Sequence, residues 1–134
     1  MDLFEKGTPS VAVQSAWAAT RDLLLHMQTL CQERSVDFLI VYAPKREQII
    51  GWEDVLRFYK ADPDRYDRLL TNGILKVFCE EHHIGFVDIT EELAGQPDKA
   101  SLYYRFDTHL TKKGNQVYWN LLSPKLKPFL TKTD

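Results

Sequence analysis

The sequence predicts an α/β fold in which three amphipathic helices alternate with two parallel strands. Apolar residues recur at helical spacing in segments 10–35, 61–84 and 111–130. Between these segments lie "DFLIVYAP" and "IGFVDIT", and the length and β-branched content of the first favour a strand covered on both faces. Connections between such elements are usually short and right-handed, so the α-β-α-β-α order predicts part of a parallel sheet flanked by helices.

The first helix is long and amphipathic, with Ser10 as its expected N-cap. Its apolar face is formed by Val13, Trp17, Leu23, Leu24, Met27, Leu30 and Cys31. Cys31 and the second cysteine, Cys79, both fall at apolar helical positions. A reduced cysteine at such a position acts as a small buried hydrophobe, and we favour this interpretation over the alternatives of a disulfide or a reactive thiol.

The second helix is expected to be capped by Asp62, with Pro63 in its first turn. Its predicted buried stripe is Tyr66, Leu69, Leu70, Ile74, Val77 and Phe78. The last helix follows a polar loop, with Thr111 as its expected N-cap. Its predicted inward-facing residues are Val117, Tyr118, Leu121 and Leu122.

Length, composition and charge limit the classes of protein to which this chain can belong. A chain of 134 residues, 44% hydrophobic and 27% charged, has the size and make-up of one globular domain spanning 1–134. The net charge of −2, with acidic and basic residues interspersed, argues against nucleic acid as a partner. No apolar run approaches a membrane span and no targeting pattern opens the chain, so the sequence predicts a soluble protein that does not enter membranes.

Chemistry-bearing residues follow the two strands, at the sheet edge where α/β proteins build their sites. Lys45 and Arg46 follow the first strand and are either contacts for an anionic substrate or a solvated strand exit. Asp88 ends the second strand. In the next loop, Asp107 lies two residues before His109, where a carboxylate can fix the tautomer of an imidazole and stabilise the imidazolium.

Three stretches resemble the C-terminal half of SGNH (GDSL-type) hydrolases. "LYYRFDTHLTKKGNQVYW" resembles their Asp-His block, in the branch written Leu-Tyr-x-x-x-Asp-x-His-Leu/Trp-Thr-x-x-Gly. That branch occurs among bacterial SGNH proteins and acetyl-transfer proteins of exopolysaccharide modification. "FLIVYAPKREQI" and "CEEHHIGFVDITEEL" resemble the strand and the helix-strand unit before it, so the likeness extends from Asp37 to about Leu122. One residue separates Asp107 from His109, whereas many members have two.

The resemblance implies a division of roles. His109 would be the general base and Asp107 its orienting acid, in ester hydrolysis or acyl transfer through a covalent serine, with no metal or organic cofactor.

Tyr104 is a candidate to line the substrate pocket or to support the loop. A metal site of His82, His83, Asp107 and His109 is the alternative, but adjacent histidines at a helix end are also explained by the helix dipole.

The nucleophile of such an enzyme is absent from this chain. The family carries it in a Gly-Asp-Ser motif, and the serines at positions 10, 15, 35, 101 and 123 lie in no such context. The resemblance therefore implies strands 4 and 5 of a five-stranded flavodoxin-like sheet, with the serine and oxyanion donors in an upstream half and no activity from this chain alone. The alternative is a non-catalytic α/β interaction module.

Both interpretations leave the first strand with an open edge. Residues 38–43 are apolar and have no predicted neighbour on one side, and such edges recruit other chains. We expect a homodimer formed by sheet continuation or by exchange of the first helix, unless the missing N-terminal half covers this edge. An acyl ester is the expected substrate once the domain is complete.

Overall fold

The computed structural model describes residues 1–130 and confirms the α/β character. Two short strands form a parallel sheet, and helices make up most of the remaining chain. The strands are β1 (Leu39–Tyr42) and β2 (Gly85–Asp88). The helices are α1 (Val11–Gln32), α2 (Arg46–Ile49), α3 (Trp52–Phe58), α4 (Leu70–Glu81), α5 (Thr90–Ala94) and α6 (Lys112–Leu130). Short 3-10 turns occur at Asp2–Phe4, Pro63–Arg65 and Lys99–Leu102.

Contacts divide the described chain into two compact units. The first unit comprises residues 1–40 and 61–86, and the second comprises residues 41–60 and 87–130. Each strand therefore begins in the first unit and ends in the second. All of the candidate catalytic and substrate-binding residues belong to the second unit.

Strand β1 is less buried than its sequence predicts. Leu39, Ile40 and Tyr42 are half-buried and Val41 is 37% exposed, so the expectation of a strand covered on both faces is wrong. The reason is that β2 is the only strand paired with β1 in the part of the chain that the structure describes. At the end of β1, the carbonyl oxygen of Tyr42 accepts a hydrogen bond from the Tyr118 hydroxyl at 3.3 Å.

The core of the first unit lies between α1, α4 and the first residues of the two strands. Phe78, Cys79 and Ile84 are buried there, with Leu24 and Leu25 of α1 packed against them. The hydroxyl of Ser10 accepts a hydrogen bond from Val13 N at 3.3 Å, which confirms the N-cap. No residue of α1 is fully buried, however, and the predicted apolar face leaves several members exposed. The exposed members are Leu23, Met27 and Leu30.

Both cysteines are free thiols, as the sequence predicts. Cys79 is completely buried and Cys31 is half-buried. Burial, together with the nearby negative charge of Glu80, raises the pKa of the Cys79 thiol. Cys79 therefore behaves as a packed hydrophobe.

The predicted second helix is interrupted near its start. Asp62 accepts a hydrogen bond from Asp64 N at 3.0 Å, but the turn that it caps ends at Arg65. Tyr66 then pairs in an antiparallel bridge with Glu5, which holds this part of the chain extended, and α4 begins only at Leu70. The predicted stripe is also wrong at Val77, which is 53% exposed, whereas Phe78 is buried as expected.

The core of the second unit confirms the predicted inner face of α6. Its buried members are Ile49, Leu93, Leu102 and Tyr103. Val117, Tyr118 and Leu121 of α6 pack against them, and Leu122 is itself buried. The packing of α2, α5 and α6 around this core fixes the segment that leads into the Asp-His loop.

Candidate functional site

The Asp-His motif lies in a six-residue loop with both ends held. Tyr103 and Leu110 form an antiparallel bridge, and inside it the backbone N–H of Tyr104 donates to His109 O at 3.1 Å. Outside it, Thr111 N donates to Leu102 O at 2.8 Å. Residues 104–109 therefore project from a fixed base.

The Thr-x-x-Gly segment after the loop secures this base. The hydroxyl of Thr111 donates to Ser101 O at 3.0 Å and accepts a hydrogen bond from Gly114 N at 3.0 Å. The second bond confirms Thr111 as the N-cap of α6. A Cβ on Gly114 would lie 2.0 Å from Leu102 O, so only glycine allows α6 to approach this closely.

Asp107 and His109 are in direct contact. Oδ1 of Asp107 accepts a hydrogen bond from the backbone N–H of His109 at 2.9 Å, which closes an Asx turn, and the same oxygen contacts Nδ1 of the imidazole. The backbone and then the ring bond from His109 lower the pKa of the Asp107 carboxyl. When Nδ1 carries the proton, Nε2 is left with its lone pair and can act as a base.

The pair is open to solvent. The His109 side chain is 82% exposed and that of Asp107 is 55% exposed. Within residues 1–130, no serine hydroxyl hydrogen-bonds to His109. Ser101, the serine nearest to the loop in sequence, donates its hydroxyl to Asp98. The described chain thus places the His109 imidazole against the Asp107 carboxylate at the surface.

The other candidate residues are spread over the second unit. Lys45 is exposed at the end of β1, and its backbone N–H donates to Gln48 Oε1 at 2.9 Å. Tyr104 is 54% exposed within the loop. Arg46, the first residue of α2, is half-buried, and within residues 1–130 it forms no hydrogen bond or ion pair with Asp107 or His109. The gathering of these groups at one point therefore stays a prediction.

Asp88 has a local structural role. Its Oδ1 accepts hydrogen bonds from the backbone N–H of Thr90 at 2.8 Å and from the Thr90 hydroxyl at 2.5 Å. These bonds hold the start of α5 at the exit of β2. The negative charge of Asp88 also acts on Tyr118, whose pKa is raised first by burial and then by this charge.

The burial of Tyr103 in the core of the second unit was not predicted from the sequence. Burial raises the pKa of Tyr103 to about 12, the charges of Tyr118 and Glu47 act in the same direction, and the charge of Arg46 opposes them. No alternation along "LYYR" could have indicated this, since Leu102 and Tyr103 are buried whereas Tyr104 and Arg105 are exposed. Tyr103 is therefore buried at the base of the loop, while Arg46 is half-buried on α2.

A separate groove lies in the first unit and contains none of the predicted site residues. Its volume is about 510 Å³, and it is lined mainly by apolar side chains of α4 with Arg21 of α1. Within residues 1–130, no three His, Cys, Asp or Glu side chains are arranged to hold a metal ion. None of the helices in that same range has the length and apolar character needed to cross a membrane.

Comparisons with known proteins add no relative to this description. No family model matches the chain. No curated protein matches it, and no solved structure does. The likeness to SGNH hydrolases accordingly remains a prediction from the residue pattern.

Proposed function

We propose that this chain supplies the Asp-His half of a serine ester hydrolase or acyltransferase of the SGNH type. The observation that carries the proposal is the contact between Asp107 Oδ1 and His109 Nδ1 in a loop with both ends fixed. In this proposal β1 and β2 correspond to strands 4 and 5 of a flavodoxin-like sheet. The nucleophilic serine and the oxyanion donors come from a segment outside this chain.

Each residue of the pair has a distinct task in the proposed reaction. His109 Nε2 removes the proton of the serine hydroxyl as the oxygen attacks the acyl carbon, and later returns it to the leaving alcohol. Asp107 holds the ring through Nδ1 and stabilises the imidazolium between these two steps. The 82% exposure of His109 supports the proposal, because Nε2 is accessible to a second segment that would cover it.

The test is complementation. The chain is co-expressed with the polypeptide encoded directly upstream, and hydrolysis of p-nitrophenyl acetate is measured. We expect no esterase activity from this chain alone and activity from the pair, with a loss of at least about a thousandfold in His109→Ala. His26→Ala, at an exposed histidine of α1, is the matched control and should retain full activity.

Two results would contradict the proposal. One is an upstream sequence without a Gly-Asp-Ser motif. The other is esterase activity of the pair that survives in His109→Ala. A loss of activity in both histidine variants would point to misfolding, so circular dichroism of each variant accompanies the assay.

A non-catalytic interaction module is the second candidate, and a different observation favours it. Leu23, Met27 and Leu30 form an exposed apolar face on α1, and β1 pairs with no strand other than β2 within the described residues. Exposed apolar faces and open strand edges are surfaces through which chains associate. The proposed partner is a second copy of this chain.

Sedimentation equilibrium tests this candidate. We expect a dimer that dissociates when Leu23→Glu and Met27→Glu are combined, and that persists in Arg34→Glu, at an exposed residue just beyond α1. A monodisperse monomer at high protein concentration would rule out self-association. Dimerisation without esterase activity in the complementation assay would favour this candidate over the enzyme.

A further inference from the structure

The groove of the first unit exposes a second apolar face of α4. Phe78 and Cys79 are buried on the face that packs into the core. Leu70, Ile74 and Val77 recur every three or four residues and form an apolar row along the groove. Leu70 and Ile74 are only half-buried, and Val77 is 53% exposed. This row is therefore an apolar wall of a cavity of about 510 Å³ that is open to ligands.

Gly73 leaves this groove unfilled. It lies inside α4 and lines the groove, and a Cβ built on it would meet nothing within 4 Å. Glycine is less favourable than alanine in the interior of a helix, so helix stability does not explain its presence. A larger side chain at this position would extend into the open space. The volume that remains lies within the range of small-molecule sites.

Carboxylate side chains line the groove at both ends of the apolar row. Asp67 lies three residues before α4, and Glu81 is the last residue of α4. The helix rises about 16 Å between Leu70 and Glu81, which sets the length of the row. Arg21 of α1 is the one cation among the described lining residues, and within residues 1–130 it forms no ion pair with Asp67 or Glu81. Two carboxylates and one guanidinium give the lining a net negative charge.

We propose that this groove binds a small amphiphilic amine, a molecule with one ammonium group on an apolar body. The body covers the apolar row, and the ammonium group donates hydrogen bonds to a carboxylate at one end of it. Asp67 Oδ1 already accepts a hydrogen bond from Leu69 N at 2.8 Å. The Glu81 carboxylate accepts none within residues 1–130, so Glu81 is the preferred acceptor.

The charges of the lining favour a cation over an anion. An ammonium group neutralises the excess negative charge, whereas an anionic head group could pair with Arg21 only in the field of two carboxylates. The apolar row favours a ligand with a hydrocarbon body over a bare cation. This site does not depend on the proposed hydrolase function, since it requires neither Asp107 nor His109.

The test is an NMR titration with n-octylammonium chloride as the probe. We expect saturable shifts of the α4 amide signals with a dissociation constant of about 1–10 mM, and weaker binding of octanoate and of 1-octanol. Gly73→Leu fills the groove and should weaken octylammonium binding by about tenfold or more. Lys76→Leu is the matched control, because Lys76 is exposed on α4 outside the groove lining and should leave the affinity unchanged.

A second pair of variants tests the charge. Glu81→Gln removes the preferred acceptor and should weaken octylammonium binding by about threefold, the effect expected of an exposed ion pair. Glu80→Gln is the matched control, because Glu80 is the preceding residue, is exposed, and does not line the groove. It should bind octylammonium as the unchanged chain does.

Several outcomes would overturn the proposal. Octanoate or 1-octanol binding as tightly as octylammonium would exclude recognition of the ammonium group. Equal affinities of Gly73→Leu and Lys76→Leu would place the bound molecule outside the groove, and the absence of a saturable shift up to about 50 mM octylammonium would exclude the site. Should Gly73→Leu fail to fold, the comparison of Glu81→Gln with Glu80→Gln still decides. The readout is binding alone, so a failed esterase assay leaves this test unaffected.

Discussion

The backbone of Gly114 lies directly against the carbonyl group of Leu102. A Cβ built on Gly114 would be 2.0 Å from the carbonyl oxygen and 2.9 Å from its carbon. This approach joins the first turn of α6 to the Lys99–Leu102 turn, and the Gly114 N–H donates to the Thr111 hydroxyl from the same position. The base of the Asp-His loop therefore depends on a residue without a side chain.

We expect Gly114→Ala to destabilise the protein by about 1–3 kcal/mol. The added methyl group would displace backbone atoms that cannot rotate away, and overpacking of this kind outweighs the helix propensity gained from alanine. The free energy of unfolding in urea provides the measurement. The loop should also loosen, which would appear as faster amide exchange at Tyr104 and Thr111, whose N–H groups donate across the base.

Gly73→Ala is the matched control for this change. Gly73 lies inside α4, and a Cβ there would meet nothing within 4 Å. We expect this variant to be more stable by about 0.5–1 kcal/mol, because alanine loses less backbone entropy in a helix. Equal effects of the two substitutions would contradict the steric role assigned to Gly114.

The pKa of the Asp107 carboxyl should lie below its ordinary value, because His109 donates its backbone N–H and its ring to the same oxygen. A lowered folded pKa means that this contact stabilises the loop above the ordinary carboxyl pKa, and that the contribution disappears as the pH falls through the folded value. Carboxyl carbon NMR measures the titration. His109→Ala should raise the midpoint only part of the way, since the backbone bond remains. A midpoint at the ordinary value in the unchanged chain would rule out the contact.

The helical periods were readable from sequence because they depend on local spacing. Ser10 and Thr111 act as the predicted N-caps, since a cap requires only its own turn. The break before Leu70 was not readable, because it depends on the bridge between Tyr66 and Glu5, which are distant in sequence. The incomplete burial of β1 has a similar origin, since a strand's burial is set by neighbours that its own residues do not specify.

The same distinction between local and tertiary determinants applies to the candidate site. Asp107 and His109 were predictable as a contact because a two-residue spacing suffices to close an Asx turn. The packing of Tyr103 with Ile49 of α2 was not, because the two residues are distant in sequence and only the tertiary fold brings them together. Patterns within one turn of chain predict local chemistry, whereas a pocket requires the tertiary fold.

Alkaline pH should destabilise the fold through Tyr103. Burial raises its pKa to about 12, compared with about 10 in an unfolded chain. The free energy of unfolding therefore keeps its full value below pH 10. It falls between pH 10 and 12, by about 2–3 kcal/mol at most, because the Tyr103 hydroxyl ionises first in the unfolded chain. Urea unfolding at successive pH values tests this. Tyr103→Phe should flatten the dependence, while Tyr59→Phe, at a tyrosine 62% exposed, should leave it unchanged.

His83 occupies a backbone conformation that favours glycine, and His83→Gly should stabilise the protein. His83 has φ +54° just after α4, where its N–H donates to Glu80 O at 3.3 Å and the Ile84 N–H donates to Cys79 O at 2.8 Å. This is a Schellman motif, in which a left-handed non-glycine residue costs about 1 kcal/mol. Thermal and urea unfolding should therefore show a gain of about 0.5–1 kcal/mol. His82→Gly is the control and should lose stability, because His82 has φ −105° and its ring packs on Phe78. A gain in stability in both variants would contradict the conformational explanation.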